Sequence, residues 1–243
     1  MISKLISDIG FESNLKMEAL SNILQPYKAI VGTVAAVVTI GQMFSGSFLC
    51  YDIYKQKGTK GVGIMPFIGG LVMSVLNLKY GFILRDDTMI QVNFVGCAIN
   101  IVYLMIYFNY SAQKGLVWAQ IGAGGAISAA LIGYSEYEDP KLIETRFGTI
   151  ITAFMFYLIA SPLFNLKTII KNKSTEGMPF PIIMSGSVVT FTWLLYGIIL
   201  NNSFLVLQNV VAVMLCSVQL ALFAIYPSKP KGKERKPKAK KVD

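Results

Sequence analysis

Histidine is absent from all 243 residues, and charge is scarce: 22 Lys and Arg stand against 13 Asp and Glu in a chain that is 54% hydrophobic. The missing imidazole removes the commonest general base, proton shuttle and metal ligand. A soluble domain of this length needs far more charge to cover its surface. Cysteine is equally thin. Cys50, Cys97 and Cys216 each lie in an apolar run without CxxC spacing, which excludes a disulfide framework and a zinc site and leaves packing residues. With no histidine and no buried acid pair, a general acid/base constellation cannot be assembled, so neither an enzyme nor a resident metal or cofactor is expected. The formal charge of +9 resembles a nucleic-acid footprint, but eight of the basic residues fall in the last 15 positions. The excess is a tail and not a docking face, and no nucleic-acid partner is expected.

What is present is apolar runs. A bilayer core about 30 Å thick takes about 20 residues of helix at 1.5 Å each, and seven uncharged or nearly uncharged stretches reach that length. They run roughly Ile30 to Cys50, Ile64 to Leu84, Met89 to Tyr110, Gly115 to Tyr134, Gly148 to Asn165, Phe180 to Leu200 and Phe204 to Tyr226. The expected fold is an all-α integral membrane protein whose first partner is the lipid bilayer. Residues 1–27 mix Lys4, Asp8, Glu12, Lys16 and Glu18 with apolar positions and lack both an unbroken apolar core and a small-residue cleavage site, so they read as a non-helix-spanning outer segment and not a signal peptide.

Orientation follows from the positive-inside rule. One side holds Lys55, Lys57, Lys60, Lys114, Lys167, Lys171, Lys173 and the eight basic residues of the tail. The other holds Lys4, Lys16, Lys28, Arg85, Lys141 and Arg146 against nine acids. The amino terminus is expected outside or lumenal and the carboxyl terminus in the cytoplasm. Lys79, about five residues inside the outer end of its helix, reads as a snorkelling side chain, with a pore-lining role as the alternative. Residues 227–243 hold proline, glycine and charge with almost nothing apolar, which predicts a disordered basic tail. The sequons at Asn109, Asn172 and Asn201 fall on the cytoplasmic side or in a very short outer loop, so glycosylation is not expected.

Sliding the chain on itself shows one offset above the rest. At a shift of 116, Ser45 to Tyr110 aligns without a gap on Ser161 to Tyr226, with 19 of 66 pairs identical. The identities include Lys55/Lys171, Thr59/Thr175, Gly61/Gly177, Tyr80/Tyr196 and Asn93/Asn209, a mix that shared apolar composition does not produce. Each copy is three helices, with a fourth helix between them. Three crossings plus one linker leave both copies pointing the same way, so they should be related by an axis along the membrane normal with the site between them. The organisation is residues 1–27 as outer segment, 28–110 as first repeat, 111–145 as linker helix and outer loop, 146–226 as second repeat and 227–243 as tail.

The segment SPLFNLKTIIKNKSTEGMPFP (Ser161 to Pro181), WLLYG (Trp193 to Gly197) and QNV (Gln208 to Val210), echoed by KQKGTKG (Lys55 to Gly61) and LKYG (Leu78 to Gly81), resembles the SWEET or MtN3/saliva family of sugar transporters. That family is itself a standard example of parallel repeats about the membrane normal. The resemblance implies a bidirectional, uncoupled sugar uniporter in the plasma membrane or Golgi. It also implies two bundles, each packed in the helix order 1-3-2, and leaves self-association open. The lack of any acid near the middle of a helix argues separately against a carboxylate proton relay.

A sugar offers hydroxyls that donate and accept, and an apolar ring face. Neutral amides and an aromatic plate complement both. The repeat-paired Asn93 and Asn209 are placed against the sugar by the resemblance; packing glue between helices is the alternative. Trp193 and its repeat partner Asn77 lie 16 residues earlier and, if the axis runs through the pocket, face it together, Trp193 to stack on the sugar ring and Asn77 to set pocket size and add a hydrogen bond; an interfacial anchor is the alternative for Trp193. The resemblance makes Pro66, Pro162 and Pro179 members of a cytoplasmic hinge set, with Gly46 in the fourth place, where it should flex with less kink and tolerate proline. Tyr80 and Tyr196, with Asp86 and Asn202 six residues on, could close an outer gate through hydroxyl-to-carboxylate or hydroxyl-to-amide bonds. The rival readings are a PQ-loop-like carrier of another solute such as an amino acid, and a seven-helix sorting or signalling receptor. The first expects Pro-Gln where Gly41-Gln42 stands, and the second does not expect the repeat.

Overall fold

A computed structural model describes residues 15–175, 178 and 180–226, excluding the side chains of 160–165 and 168. Among the described residues there is helix and no strand. In chain order the helices are α1 (residues 15–24), α2 (Lys28–Met43), α3 (Gly46–Gln56), α4 (Met65–Leu84), α5 (Asp87–Tyr110), α6 (Lys114–Tyr137), α7 (Ile143–Asn172), α8 (Phe180–Ile199) and α9 (Ser203–Ile225). The seven crossings are α2 with α3, then α4 to α9. Twenty residues of α4 rise about 30 Å, the thickness of the hydrocarbon layer. Large apolar side chains such as Phe48, Phe94, Met105 and Met214 are exposed on the outside of the bundle, while Phe67, Tyr80, Phe147 and Tyr196 are buried within it together with polar groups such as Asn93 and Asn209.

The turns repeat as faithfully as the helices. Lys57 and Lys173 end their helices in the left-handed region at φ 52° and 50°, and so do Arg85 and Asn201 at 53° and 51°. Both pairs are 116 apart. Asp86 and Asn202 then cap the next helices, accepting from the backbone N–H of Met89 at 3.0 Å and of Leu205 at 2.9 Å. A side-chain acceptor three residues ahead satisfies one of the free N–H groups of a helix start.

Within the first repeat α5 packs against α2 and α3 on one side and α4 on the other; α9 likewise sits between α7 and α8. This is the 1-3-2 order in both copies. The copies meet where α2 packs on α8 and α4 on α7, two contacts that the 116-residue shift exchanges. The linker α6 leans on α4.

Several elements depart from the sequence expectation. The first crossing, read as an unbroken Ile30 to Cys50, is interrupted at Phe44 and Ser45, where the bonds from Ser45 N–H to Gln42 and Ser47 N–H to Phe44 tighten to three-residue spacing. A Gly flanked by Ser45 and Ser47 is a recognised place for such a break. Helix α7 runs well past Gly148 to Asn165 at both ends, because Glu144, Lys167 and Lys171 sit on end turns where their charge reaches water. The amino-terminal segment is helical from residue 15, and its Ser21 hydroxyl and Gln25 amide both donate to the carbonyl of Ile199 at 2.9 and 3.0 Å. The ammonium of Lys79 pairs with Glu136 of the linker at 2.5 Å, a partner the sequence does not show. Cys50 is buried and Cys97 and Cys216 half-buried, all three free, as expected of packing residues. Residues 1–14, the tail 227–243 and Pro179 lie outside the described residues.

In the turn between α6 and α7, Glu138 accepts from the Tyr134 hydroxyl and from Arg146 at 2.6 Å. The Tyr134 bond first, and the guanidinium second, hold its carboxyl down from 4.5 to about 2. A depressed carboxyl stabilises the fold above its ordinary value and loses that contribution as pH falls toward the folded value. The turn should therefore loosen between about pH 4.5 and 2. Hydrogen exchange at the amides of Glu138, Asp139, Lys141 and Leu142 across that range should accelerate in the parent chain, and Glu138→Gln should exchange fast throughout.

Candidate functional site

At mid-height between the two repeats lies a cavity of about 320 Å³. The structure brings all four sequence-predicted binding residues to its wall, Asn77, Asn93, Trp193 and Asn209, together with Thr39 and Gln208. Its volume falls at the small end of ligand sites. Among the described residues no Asp, Glu, Lys or Arg lines it.

The amides are oriented by their own helices. Asn93 donates to the Met89 carbonyl and Asn209 to the Leu205 carbonyl, each at 2.8 Å, and Asn77 donates to Met73 at 3.0 Å. These four-residue back-bonds fix each amide nitrogen. The side-chain oxygens of Asn93 and Asn209 accept no bond from described residues, so each keeps an acceptor and one N–H for a ligand. Trp193 is 9% exposed; its indole N–H donates to Thr39 Oγ1 at 2.8 Å, and Thr39 in turn donates to the Ala35 carbonyl at 2.6 Å. Its ring stands edge-on to Tyr196, 5.6 Å between centroids. The indole is thus pinned by its polar edge, which leaves a flat apolar face as a wall.

Immediately beyond the cavity the acidic end is shut. Tyr196 donates to both carboxylate oxygens of Asp86 at 3.0 and 2.8 Å, and Asn202 donates to the Tyr80 hydroxyl at 2.9 Å. Tyr80, Tyr196, Asp86 and Asn202 are each at most 3% exposed. Every one of these bonds crosses between repeats, so the four predicted outer-gate residues form one symmetric layer. Asp86 also pairs with Lys28 at 3.2 Å, and Asn202 meets Glu144 at 3.4 Å.

Two residues that sequence reasoning missed make this layer fit. A Cβ on Gly32 would stand 2.9 Å from the Tyr196 ring, and one on Gly148 would stand 2.8 Å from the Tyr80 hydroxyl. Gly32 and Gly148 are 116 apart, and so are Lys28 and Glu144. Upstream of Ser45 the same shift pairs Gly32 with Gly148 as identical residues and sets Lys28 against Glu144. Gln208, which donates to Thr152 at 2.7 Å, stood beside Asn209 in the motif. Thr39 carried no signal.

Toward the basic end the cavity continues into a vestibule of about 500 Å³ that shares Met43, Met73, Asn77 and Asn93 with it and reaches Gly46 and Pro66. Pro66 stands in the first turn of α4, where a missing N–H costs nothing. Pro162 falls within α7, but its side chain lies outside those described. Gly46 also meets a steric need that the sequence does not show. A Cβ there would lie 2.4 Å from the ring of Tyr103, whose hydroxyl is held by the Met43 carbonyl and Ser47, each at 3.0 Å. The position is glycine because a locked ring passes over it. Gly46→Ala is therefore expected to destabilise the detergent-solubilised protein by about 1–3 kcal/mol, as overpacking does. Gly46→Pro should fare no better, contrary to the sequence reading. Melting temperatures check this: Gly46→Ala should cost much less in a Tyr103→Ala background.

A membrane bundle of two parallel three-helix repeats, with a neutral amide-and-indole cavity between them, defines a small-solute transporter class by its form. Comparison with known proteins gives the family. The family model described as "Sugar efflux transporter for intercellular exchange" (MtN3_slv) matches twice, over residues 29–115 and 145–231, one copy per repeat and again 116 apart. The chain belongs to this MtN3/saliva or SWEET family. It is 28% identical over 203 residues to "Sugar transporter SWEET1" of Drosophila pseudoobscura pseudoobscura, covering 82% of this chain and 89% of that one. It is 28% identical over 200 residues to "Bidirectional sugar transporter SWEET13" of Oryza sativa subsp. japonica, covering 77% and 67%. Against "The 3.7 A resolution structure of a eukaryotic SWEET transporter" the TM-score is 0.76 at 22% identity, covering 83% of this chain and 97% of that one. That likeness is one of fold.

Proposed function

We propose that this chain is a bidirectional, uncoupled sugar uniporter that works by alternating access and carries a monosaccharide such as glucose. The observation that carries the reading is the uncharged cavity walled by Asn77, Asn93, Asn209, Gln208 and Trp193 at the interface of the repeats. Asn93 and Asn209 bond sugar hydroxyls, and Trp193 covers the ring face. A volume of about 320 Å³ favours one ring over two. Relatives named as sugar transporters support the substrate class.

An amino acid would bring a carboxylate and an ammonium into a wall with no countercharge, at a desolvation cost of several kcal/mol per ion. The same absence leaves no titratable group in the described wall to hold a driving proton. The Tyr80–Asn202 and Tyr196–Asp86 layer is the outer gate, closed in this state, and the vestibule by Gly46 and Pro66 is the inner path. Pro66, Pro162, Pro179 and Gly46 mark the inner hinge region. The repeats exchange states by rocking on the α2–α8 and α4–α7 contacts. The basic end faces the cytoplasm and the acidic end faces the exterior or lumen, in the plasma membrane or Golgi. The test is counterflow into vesicles loaded with unlabelled glucose. Labelled glucose should accumulate transiently with no ion gradient imposed, and amino acids should not compete; competition by amino acids and not by hexoses would overturn the assignment.

A further inference from the structure

At the basic end of the first repeat, away from the sugar cavity, α3 and α5 are separated by an open groove of about 770 Å³. Its walls include Phe44, Tyr51, Val102 and Ile106, all apolar or aromatic. The groove ends at Tyr54 and Tyr110, whose rings meet edge-on at 6.1 Å. Over this pair stands Lys57, its ammonium 3.9 Å from the Tyr54 centroid and 5.7 Å from that of Tyr110. Beyond Tyr110, which lines both spaces, a second hollow of about 380 Å³ is polar, walled by Lys57, Thr59, Lys60 and Gln113. Among the described residues Lys55, Lys57, Lys60 and Lys114 pair with no carboxylate.

An oily trough meeting a basic hollow across an aromatic rim has the polarity profile of one phospholipid lying in a leaflet. Ammonium groups at the headgroup level attract anionic lipid, and tyrosines prefer that same depth. A free anion would use the hollow alone and leave the trough unexplained. Nor does the repeat require the feature: Tyr51, Tyr54 and Lys60 are replaced by Lys167, Ile170 and Glu176 at the matching positions. Among the described residues helix α3 packs chiefly on α5.

We propose that this is a site for a single anionic phospholipid, with an acyl chain in the α3/α5 groove and the headgroup phosphate held by Lys57 and Lys60. The site is separate from the sugar cavity, and its test does not depend on transport. The purified full chain is mixed in detergent with equal phosphatidylserine and phosphatidylcholine, and retained lipid is read by native mass spectrometry. Phosphatidylserine should be favoured roughly tenfold or more, as two basic contacts allow. Lys57→Gln with Lys60→Gln should bring the preference close to unity. Ala98→Phe, on the groove wall, should cut retention of both lipids. Lys167→Gln with Lys171→Gln, basic positions of the second repeat, should leave the preference intact. Equal retention of the two lipids by the parent chain would overturn the proposal. So would an equal loss of preference in the Lys167/Lys171 pair, or displacement of the lipid by soluble glycerophosphoserine alone.

Discussion

Alanine at Asn209 or Asn93 is expected to lower sugar flux by about five- to a hundredfold, with surface expression nearly unchanged. Each asparagine already spends one N–H on its own helix, to Leu205 and Met89, so the side chain that remains is a pre-set acceptor and donor facing a small cavity. Its removal strands sugar hydroxyls in a site with little water, at about 1–3 kcal/mol. The fold should tolerate the change, because the lost back-bond is local to one helix and the carbonyl it served keeps its helical partner. Initial-rate uptake normalised to surface protein is the measurement. Should both variants transport normally, sugar is bound elsewhere.

The second large effect concerns the outer layer. Tyr196→Phe deletes the hydroxyl that donates to Asp86 while leaving the ring against Gly32 and Trp193. A hydrogen bond to a charged group contributes about 1.5–3 kcal/mol, so the closed state should lose roughly ten- to a hundredfold in population relative to the outward-open one. Because Lys28 still pairs with Asp86, the carboxylate is not stranded and the chain should fold. Tyr80→Phe should cost less, since its partner Asn202 is a neutral amide that retains Leu205 and Glu144. A single cysteine placed at Thr39, with the native cysteines removed, reports the shift through its labelling rate by a membrane-impermeant reagent added from the acidic side. Labelling should rise strongly in Tyr196→Phe and weakly in Tyr80→Phe; the reverse order would show that the carboxylate bond does not hold the layer shut.

Much of this was legible before any coordinates. Run length gave the crossings, and the 116-residue shift gave the two bundles, because helices that pack alike need alike residues at Tyr80/Tyr196 and Asn93/Asn209. Those pairs face one another across the repeat boundary, which is why one register located both the cavity and the outer layer. What stayed hidden has a common cause: it depends on partners distant in sequence. Gly46 has the composition of a flexible joint, and only the Tyr103 ring above it shows a steric need. Lys79 shows its partner Glu136 only once α6 packs beside α4. The break at Phe44 and Ser45 disappears in a continuous apolar run, since hydropathy averages over a turn while a break concerns two or three backbone bonds. Gly32 and Gly148 form a further identical pair under the same shift, upstream of Ser45.

The central claim is passive, two-way sugar movement through a neutral cavity between the repeats. It is tested most directly by reconstituting the purified chain in liposomes and following labelled glucose inward and outward, with and without an imposed pH gradient. With no acid or base in the cavity wall, influx and efflux should each follow the glucose gradient, stop when the concentrations match, and be indifferent to the proton gradient. Accumulation of glucose above its external concentration, driven by the pH gradient, would contradict it.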